Sequence, residues 1–337
     1  MPPTVSVVIV AFDNGDELLD CVESVLEHGD GAEVVVVVNG DSGGVAAKLG
    51  GRPGVVLVDP GGNRGFGGGC NLGVGRAGGD VVLFLNPDAV VLPGAVPALA
   101  RAACEPGVGL VMPRLRLRAE PDLLNSGGGA IHVCGQGWAA SYRRPAAELV
   151  TRRPVAAASG AAMAVRRETF LALGGFLEEM FAYHEDAELS WRAHLRGLEV
   201  VVIPDADVLH AYEFSRHPAK FELLERNRLL FVLTCYGRRL LVLLAPVLVA
   251  YELAVVALAA RQGWLAAKWR GWAWCWQHRS WLAARRAQVQ AERRVPDRQL
   301  SGFLTPVLDP GQLDLPRGVA VVNAGLSAYW SLVRRLV

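Results

Sequence analysis

Four short runs of consecutive apolar, mostly β-branched residues dominate the beginning of this chain. They are Val5–Val10, Glu33–Val38, Val55–Val58 and Val81–Leu85, and a helical pattern from Asp16 to Leu26 separates the first two. Runs without polar alternation are typical of strands that are buried on both faces, as in parallel sheets covered by helices. The sequence therefore predicts an α/β domain with a mainly parallel, Rossmann-like sheet.

Two acidic motifs follow or begin predicted elements of this domain. Asn86-Pro87-Asp88 comes directly after Val81–Leu85, and His184-Glu185-Asp186 begins a predicted helix much later in the chain. Ligands of open α/β sheets collect at the carboxyl ends of the strands, so Asp88 is well placed to hold a divalent cation against a diphosphate. A second, distant carboxylate could then serve as a base. A plain turn is the alternative for residues 86–88, because Asn, Pro and Asp are common turn residues.

Gly73–Gly78 matches the dinucleotide fingerprint G-x-G-x-x-G letter for letter. That fingerprint requires a strand before it and a helix after it, so that the pyrophosphate meets a helix N-terminus. Here a helical stretch precedes the motif and the strand Val81–Leu85 follows it. The sequence therefore argues against a dehydrogenase.

Several motifs follow one another in a fixed order over roughly residues 4–228. They are Val5–Val10 followed by Ala11-Phe12-Asp13-Asn14, then Asn63 to Gly73, Asn86-Pro87-Asp88, Gly174-Gly175-Phe176, Glu185-Asp186 and His210. This ordered set resembles the family 2 glycosyltransferases, and the rhamnosyltransferase-like branch is nearest. The resemblance implies a GT-A fold, a nucleotide-sugar donor, a divalent metal (Mn²⁺ or Mg²⁺) and inversion at the sugar carbon.

The resemblance also implies roles for individual residues. Asp88, with Asn86 beside it, would bind the metal that bridges the two phosphates, and His210 would supply an imidazole ligand. Asp186 would accept the proton of the acceptor hydroxyl, and Glu185 would raise the pKa of Asp186 by like-charge proximity. The alternatives are that Asp186 is only the N-cap of a helix from Ala187 to Leu195, and that His210 is a satisfied, partly buried histidine.

The donor nucleotide is expected to contact the glycine-rich segment from Gly62 to Gly73 and the ends of the first strands, because glycine lets backbone approach a bulky ligand closely. Arg64 is a candidate contact for a phosphate or the base. The alternative is that it is a solvated surface charge in a plain loop before a helix. The family usually carries Asp-Asn after the second strand, whereas this chain has Val38-Asn39-Gly40-Asp41. Because this aspartate is missing, the sequence does not distinguish among a dTDP-, a UDP- and a GDP-linked sugar as the donor. The predicted donor-binding residues are Ala11, Asp13, Asn39, Asp41, Asn63, Arg64, Gly65, Asn71, Asn86 and Asp88.

Composition narrows the cellular setting. A net charge of +1 over 337 residues argues against a nucleic-acid binder. The six cysteines show no Cys-x-x-Cys pair, which argues against a zinc site and fits reduced thiols in a cytosol. A predicted strand begins within five residues of the N-terminus, so no signal peptide is expected.

Composition changes after about residue 225. Leu240–Ala260 is long and apolar enough to span a bilayer. Spanning would carry the basic stretch Arg261–Arg298 to the outer side, against the positive-inside tendency. We therefore expect two apolar helices, broken near Pro246, that lie on or dip into the cytoplasmic leaflet. A buried core hairpin is the alternative.

The next stretch is rich in tryptophan and basic residues. Leu265, Trp269, Trp272 and Trp276 fall on one helical face, which predicts an interfacial amphipathic helix with basic residues, such as Lys268, at its flanks. The alternative is a core helix with a rim of long charged side chains. We accordingly divide the chain into a catalytic domain, residues 1–228, and a helical, membrane-associating region, residues 229–337.

The sequence thus predicts an inverting, metal-dependent glycosyltransferase on the inner face of the plasma membrane. It would move one sugar, such as rhamnose or another deoxyhexose, to a lipid-linked or cell-surface glycan acceptor, and self-association is left open. Two rival interpretations remain: a nucleotidyltransferase of the same fold, and a catalytically silent scaffold that binds membranes.

Overall fold

The computed structural model describes residues 1–40, 44–211, 220–309, 311 and 318–337. Most of the strands in these ranges belong to one large sheet. Its strands are β1 (Val5–Ala11), β2 (Glu33–Val38), β3 (Val55–Val58), β4 (Val81–Leu85), β5 (Ala89–Val91), β6 (Val108–Leu117), β7 (Leu124–Ser126), β10 (Arg153–Pro154), β11 (Ala162–Arg166) and β12 (Glu199–His210); a small sheet holds β8 (Gly129–His132), β9 (Gly137–Ala139) and β13 (Leu304–Thr305).

The large sheet has a parallel half and a mixed half that meet at β4. Its order is β10-β12-β6-β11-β4-β1-β2-β3, with β5 added to β12 and β7 added to β6. Strands β4, β1, β2 and β3 run parallel, as the apolar runs predict, and β11 then pairs antiparallel with both β4 and β6. The predicted α/β class is confirmed. The carboxyl end of β4 therefore lies near the middle of the sheet, where strand direction changes.

One of the four apolar runs is less buried than predicted. β4 is buried along its whole length, whereas Val56 and Leu57 of β3 are exposed. The reason is position, because β3 forms the edge of the sheet and pairs only with β2 among the described strands. A β-branched run alone does not distinguish a central strand from an edge strand.

Helices cover both faces of the large sheet and then form a separate group after it. They are α1 (Glu17–His28), α2 (Val45–Leu49), α3 (Gly65–Val74), α4 (Ala95–Ala103), α5 (Arg167–Leu173), α6 (Glu185–Leu195), α7 (Lys220–Cys235), α8 (Arg238–Gln262), α9 (Leu265–Gln277), α10 (Arg279–Ala291), α11 (Asp297–Leu300) and α12 (Val319–Leu336). Because α3 precedes the G-x-G-x-x-G motif and β4 follows it, the motif lacks its phosphate-binding context.

The predicted break near Pro246 is wrong, because α8 is one continuous helix through that proline. Pro246 and Val242, four residues earlier, are both exposed. The proline and the residue whose carbonyl loses its hydrogen bond therefore both lie on the open face of the helix. Arg238–Gln262 is the one helix of the described residues that is long and apolar enough to cross a membrane, and little of it is buried.

The described residues form two apolar cores. The first packs α1, α3 and α4 against the large sheet, and the second joins α6, α7, α8, α10 and α12. The predicted domain boundary at residue 228 falls inside α7, whose side chains Leu230 and Phe231 belong to the second core.

A cluster of buried charges holds α7, α8 and α9 together. Lys268 is fully buried and pairs with Glu225 and with Glu252, the latter at 2.7 Å. Arg228 pairs with the same two carboxylates. The expectation that Lys268 forms a solvated basic flank is therefore wrong: α9 turns it inward, where two cations balance two carboxylates. Removing one partner of such a cluster leaves a buried charge without full compensation.

We predict that Lys268→Met lowers the free energy of unfolding by about 3–5 kcal/mol, because Glu225 and Glu252 would share a single cation in a buried site. Urea titration of the full chain measures the change. Arg270→Met is the matched control, since the Arg270–Glu222 pair on the same helix is exposed on its arginine side and should cost less than about 1 kcal/mol. Equal losses for the two variants would contradict the assignment.

Candidate active site

The carboxyl end of β4 brings Asp88 and His210 together. Asn86–Ala89 forms a tight turn in which the Ala89 N–H donates to the Asn86 carbonyl at 3.1 Å. β5 then starts at Ala89 and pairs antiparallel with the end of β12, with Ala89 opposite His210. As a result, His210 Nε2 lies 3.2 Å from Asp88 Oδ1, and both side chains are largely buried.

These two side chains fit a divalent cation. Adjacent ligands of an octahedral ion with bonds of about 2.1 Å lie about 3 Å apart, close to the observed separation. Asp88 Oδ1 is buried and makes no hydrogen bond of good geometry with the described residues. The described residues hold no group of three or more His, Cys, Asp or Glu side chains suited to a metal, so other ligands would have to come from a bound substrate or water.

The second nitrogen of His210 contacts a residue that the sequence analysis missed. His210 Nδ1 lies 3.0 Å from Asn125 Oδ1, and Asn86 Nδ2 lies 3.4 Å from His210 Nε2. Asn125 belongs to β7, which pairs with β6, and β6 in turn pairs with the end of β12. A lone asparagine in a short strand carries no sequence signal for this role.

The first turn of α6 carries Glu185 and Asp186. The helix begins at Glu185, with His184 at the N-cap position, so the alternative that Asp186 is the N-cap is wrong. Asp186 Oδ2 accepts a hydrogen bond from the Gly160 N–H at 2.9 Å, and Oδ1 accepts one from the Ala187 N–H at 2.7 Å. Part of Asp186 is exposed, whereas Glu185 is buried and its Oε2 has no hydrogen-bond partner in the part of the chain that the structure describes.

One short segment links the two acidic motifs. The Gly160 N–H binds Asp186, and the carbonyl of the next residue, Ala161, accepts a hydrogen bond from the Asn86 N–H at 2.9 Å. Asp88 and Asp186, nearly a hundred positions apart in the sequence, therefore lie on either side of one segment at the same edge of the sheet.

The two carboxyls of α6 have unequal pKa values. Burial raises the pKa of Asp186 above its usual range, and the N–H groups of Gly160 and Ala187 oppose that rise. Burial and then the charge of Asp186 raise the pKa of Glu185 to about 8. We expected Glu185 to raise the pKa of Asp186, whereas between these two carboxyls it is the charge of Asp186 that raises the pKa of Glu185, in addition to burial. Asp186, with its two donors, ionises first, and Glu185 keeps its proton longer.

The glycine-rich segment packs against the turn before α6. The Phe66 N–H donates to the Phe181 carbonyl at 2.7 Å, and Gly65 has φ +70°. A Cβ on Gly65 would come within 2.1 Å of the Phe181 carbonyl oxygen, so no larger residue fits without displacing backbone. The predicted importance of Gly65 therefore has a packing reason.

That turn is strained and is held by α7. Phe181, Tyr183 and His184 all have positive φ, which is costly for side chains of this size. Asn227 Nδ2 donates to the carbonyls of residues 180, 182 and 183 at 2.7–2.9 Å, and Arg226 donates to the carbonyls of residues 179 and 180. The sequence analysis also missed these two residues, which fix the approach to Glu185.

Several predicted donor-binding residues hold the local backbone. Asn39 accepts from the Arg64 N–H at 2.8 Å and donates to Asn63 Oδ1 at 3.0 Å, and the Ala11 carbonyl accepts from the Asn39 N–H. Asn63 Oδ1 also accepts from the Gly65 N–H. These contacts gather the ends of β1 and β2 and the glycine-rich segment at one place.

The remaining predicted donor-binding residues differ in their surroundings. The Arg64 side chain donates to the Pro60 carbonyl, and the amide of Asn71 binds both backbone groups of Phe176. Asp13 is exposed and has φ 53°. Asp41 lies outside the described residues.

Comparison with known protein families shows the family of this chain. The profile described as "Glycosyltransferase like family 2" matches residues 2–230. An N-acetylglucosaminyl-diphospho-decaprenol L-rhamnosyltransferase of Mycobacterium tuberculosis is 33% identical over 215 residues, which cover 55% of this chain and 69% of the relative. The O-antigen biosynthesis protein RfbC of Myxococcus xanthus is 29% identical over 154 residues, which cover 43% of this chain and 12% of the relative.

A solved structure shares the fold. The structure of GalNAc-T7 with UDP, GalNAc and Mn²⁺ superposes with a TM-score of 0.59 and 19% identity, covering 69% of this chain. This chain spans about half the length of that protein, 48%. The likeness confirms the predicted GT-A fold.

The raised pKa of Glu185 predicts a pH-dependent stability. A carboxyl whose pKa is higher in the folded state stabilises the fold fully below its unfolded value, 4.5, and this contribution is lost as the pH rises towards about 8. Glu185→Gln should therefore raise the melting temperature at about pH 8.5 and leave it nearly unchanged at about pH 4. Differential scanning fluorimetry measures both, with the exposed Glu179→Gln as control. Parallel pH profiles for wild type and Glu185→Gln would disprove the assignment.

Proposed function

The chain belongs to glycosyltransferase-like family 2, and from that premise we propose that it transfers one sugar from a nucleotide diphosphate to an acceptor hydroxyl with inversion. The observation that carries the proposal is the meeting of Asp88 and His210 at the end of β4, linked through residues 160–161 to Asp186. A metal site and a base at one sheet edge are what such a transfer requires.

Asp186 is the proposed base. Its two backbone N–H donors favour the charged form, and part of its surface remains open to an incoming acceptor. It would take the hydroxyl proton as the acceptor oxygen attacks the anomeric carbon from the face opposite the leaving diphosphate. Glu185, buried behind it, would hold its own proton and leave Asp186 as the charged member of the pair.

Asp88 and His210 would hold the cation, with Asn86 next to them. A bound Mn²⁺ or Mg²⁺ would offset the charge that develops on the departing nucleoside diphosphate. The short turn of residues 86–89 and the pairing of β5 with β12 fix the two ligands before substrate arrives. Preorganisation of this kind avoids reorganisation during the reaction.

The rhamnosyltransferase relative supports a proposal for the donor and the acceptor. Its name specifies an N-acetylglucosaminyl-diphospho-decaprenol acceptor and transfer of L-rhamnose, and the alignment covers more than two thirds of its length. We assign to this chain a deoxyhexose donor such as a rhamnose nucleotide and a lipid-linked glycan acceptor. Because Val38 stands where the family usually has aspartate, and the amide of the following Asn39 is already bonded to the glycine-rich segment, other groups would read the base.

A lipid-linked acceptor agrees with the exposed apolar surface of the C-terminal helices. Val242, Val249 and Leu253 fall on one face of α8 and are all more than half exposed. A groove of about 480 Å³ formed by residues of α7, α8, α9 and α10 is lined mainly by apolar side chains, among them Leu233 and Trp276. We propose that this side of the protein lies on the cytoplasmic leaflet as a monotopic surface.

The rival interpretations differ in what they predict. A silent scaffold would bind vesicles without turning over any donor. A nucleotidyltransferase of the same fold would release pyrophosphate from a nucleoside triphosphate instead of transferring sugar from a nucleotide sugar. The pair Glu185 and Asp186 supports sugar transfer over the scaffold, because a purely structural role gives no reason to bury the Glu185 carboxyl beside a second carboxyl.

We expect Asp186→Asn to lower turnover by roughly a hundredfold or more while nucleotide-sugar binding survives, because the amide keeps the size of the side chain but cannot accept the proton. A thermal-shift panel of dTDP-, UDP- and GDP-sugars with Mn²⁺ selects the donor, since a bound ligand stabilises the fold by mass action. Transfer to a prenyl-diphosphate glycan then measures turnover.

Asp205→Asn provides the control for this experiment, because Asp205 is an exposed aspartate on β12. Turnover of Asp186→Asn within a few-fold of wild type would rule out Asp186 as the base. Absence of sugar transfer by the wild type from every donor in the panel would reject the proposed function as a whole.

The membrane proposal predicts that replacing Val249 and Leu253 together by Asp abolishes co-sedimentation with anionic vesicles, because two charges would enter the apolar face of α8. Leu171→Asp is the control, since Leu171 is a comparably exposed leucine on α5, in the catalytic domain. Release of wild type by alkaline carbonate supports a monotopic arrangement, whereas retention would indicate a span. Vesicle binding that is unchanged in the double variant would refute the assigned surface.

A further inference from the structure

Asn125 is a buried amide with a one-sided hydrogen-bond pattern. It is 3% exposed, its Oδ1 faces His210 Nδ1 at 3.0 Å, and its Nδ2 has no hydrogen-bond partner among the described residues. Burying an unsatisfied amide N–H typically costs about 1–3 kcal/mol. A leucine of similar size would avoid that cost, so stability alone does not explain an asparagine at this position.

The contact determines which nitrogen of His210 carries a hydrogen. A carbonyl oxygen is an acceptor only, so the group that faces Asn125 Oδ1 must be Nδ1–H. In a neutral imidazole the other nitrogen, Nε2, then keeps its lone pair. Nε2 is the nitrogen that faces Asp88 Oδ1. The lone pair therefore points to the side where the carboxylate lies.

The alternative arrangement would disable the site. If Nε2 carried the hydrogen of a neutral ring, it would donate to Asp88 Oδ1 at 3.2 Å, and ring and carboxylate would satisfy each other instead of a cation. Hydrogen bonding at the far nitrogen of a histidine ligand is the general means by which proteins fix its tautomer and ring orientation.

We propose that Asn125 is a positioning residue of the metal site: its side-chain oxygen favours the Nδ1–H form of His210, which directs the Nε2 lone pair to the side where Asp88 would hold a divalent cation. This inference rests on the proposed metal site of Asp88 and His210. Asn125 itself touches neither substrate nor metal and acts only through the imidazole. The strand pairing β7–β6–β12 sets the distance between the two side chains.

Two variants separate the acceptor from the packing of Asn125. Asn125→Leu keeps a similar volume and removes the oxygen, whereas Asn125→Asp keeps an oxygen that can accept from Nδ1–H. Titration of Mn²⁺ alone into the full-length protein, followed by electron paramagnetic resonance of the free ion, measures affinity. We expect Asn125→Leu to bind Mn²⁺ about 10–100-fold more weakly than wild type. We expect the affinity of Asn125→Asp for Mn²⁺ to stay within a few-fold of the wild-type affinity.

A second measurement does not need metal. Long-range ¹H–¹⁵N spectra of histidine-labelled protein distinguish the two neutral tautomers, and His210→Ala identifies the signal. We expect the Nδ1–H form of His210 in wild type and in Asn125→Asp. In Asn125→Leu we expect a weaker preference for that form, because the acceptor at Nδ1 is lost while the 3.4 Å contact of Asn86 Nδ2 with Nε2 remains. A merely structural role of Asn125 would not move this signal selectively.

The possible failures are distinguishable. If wild type and Asp88→Ala bind Mn²⁺ equally weakly, the proposed metal site falls, and the inference falls with it. If Asp88→Ala abolishes binding while Asn125→Leu binds as tightly as wild type and keeps the Nδ1–H signal, the metal site stands and the role of Asn125 is overturned. The inference is supported if Asn125→Leu binds Mn²⁺ more weakly than wild type and Asn125→Asp does not.

Discussion

The hydrogen bonds of residues 160 and 161 hold the two halves of the candidate site together. Gly160 donates to Asp186 on α6, and Ala161 accepts from Asn86 at the end of β4. This segment leads directly into β11, the strand that joins the parallel half of the sheet to the mixed half. Any shift of β11 against β4 would change the relative positions of the proposed base and the proposed metal site. Because both bonds come from backbone groups, their geometry depends on the sheet more than on any one side chain.

Several features of the candidate site contribute unfavourably to the free energy of folding. Glu185 is buried with an unpaired oxygen, three residues before or at the start of α6 have positive φ, and Asp88 Oδ1 has no good donor. Each feature costs on the order of 1–3 kcal/mol, so the surrounding fold must hold them in place. Asn227 and Arg226 do so with five hydrogen bonds to the carbonyls of residues 179–183. Local strain that is held by surrounding structure is typical of functional sites.

The clamp on this turn connects the candidate site to the C-terminal helices. Arg226 and Asn227 lie on α7 next to Glu225 and Arg228, which belong to the buried charge cluster with Glu252 of α8 and Lys268 of α9. The helix that fixes the approach to Glu185 is therefore also bonded to the helix that carries the exposed apolar face. In the proposed function, these contacts among the described residues would connect the membrane-facing side of α8 to the turn that precedes the proposed base.

The sequence by itself determined the fold class and the places where chemistry-bearing residues start or end elements. The β-branched runs fixed β1, β2 and β4 because burial on both faces leaves no polar alternation, and Asn86-Pro87-Asp88, Glu185-Asp186 and His210 were found from their order along the chain. The tertiary structure decided what no local pattern encodes. It buried Lys268 against carboxylates on two other helices, kept α8 continuous through Pro246, and placed Asn125 and Asn227 at the site. These outcomes depend on contacts between residues tens of positions apart, and a single asparagine or lysine has the same local signature whether or not such a partner exists.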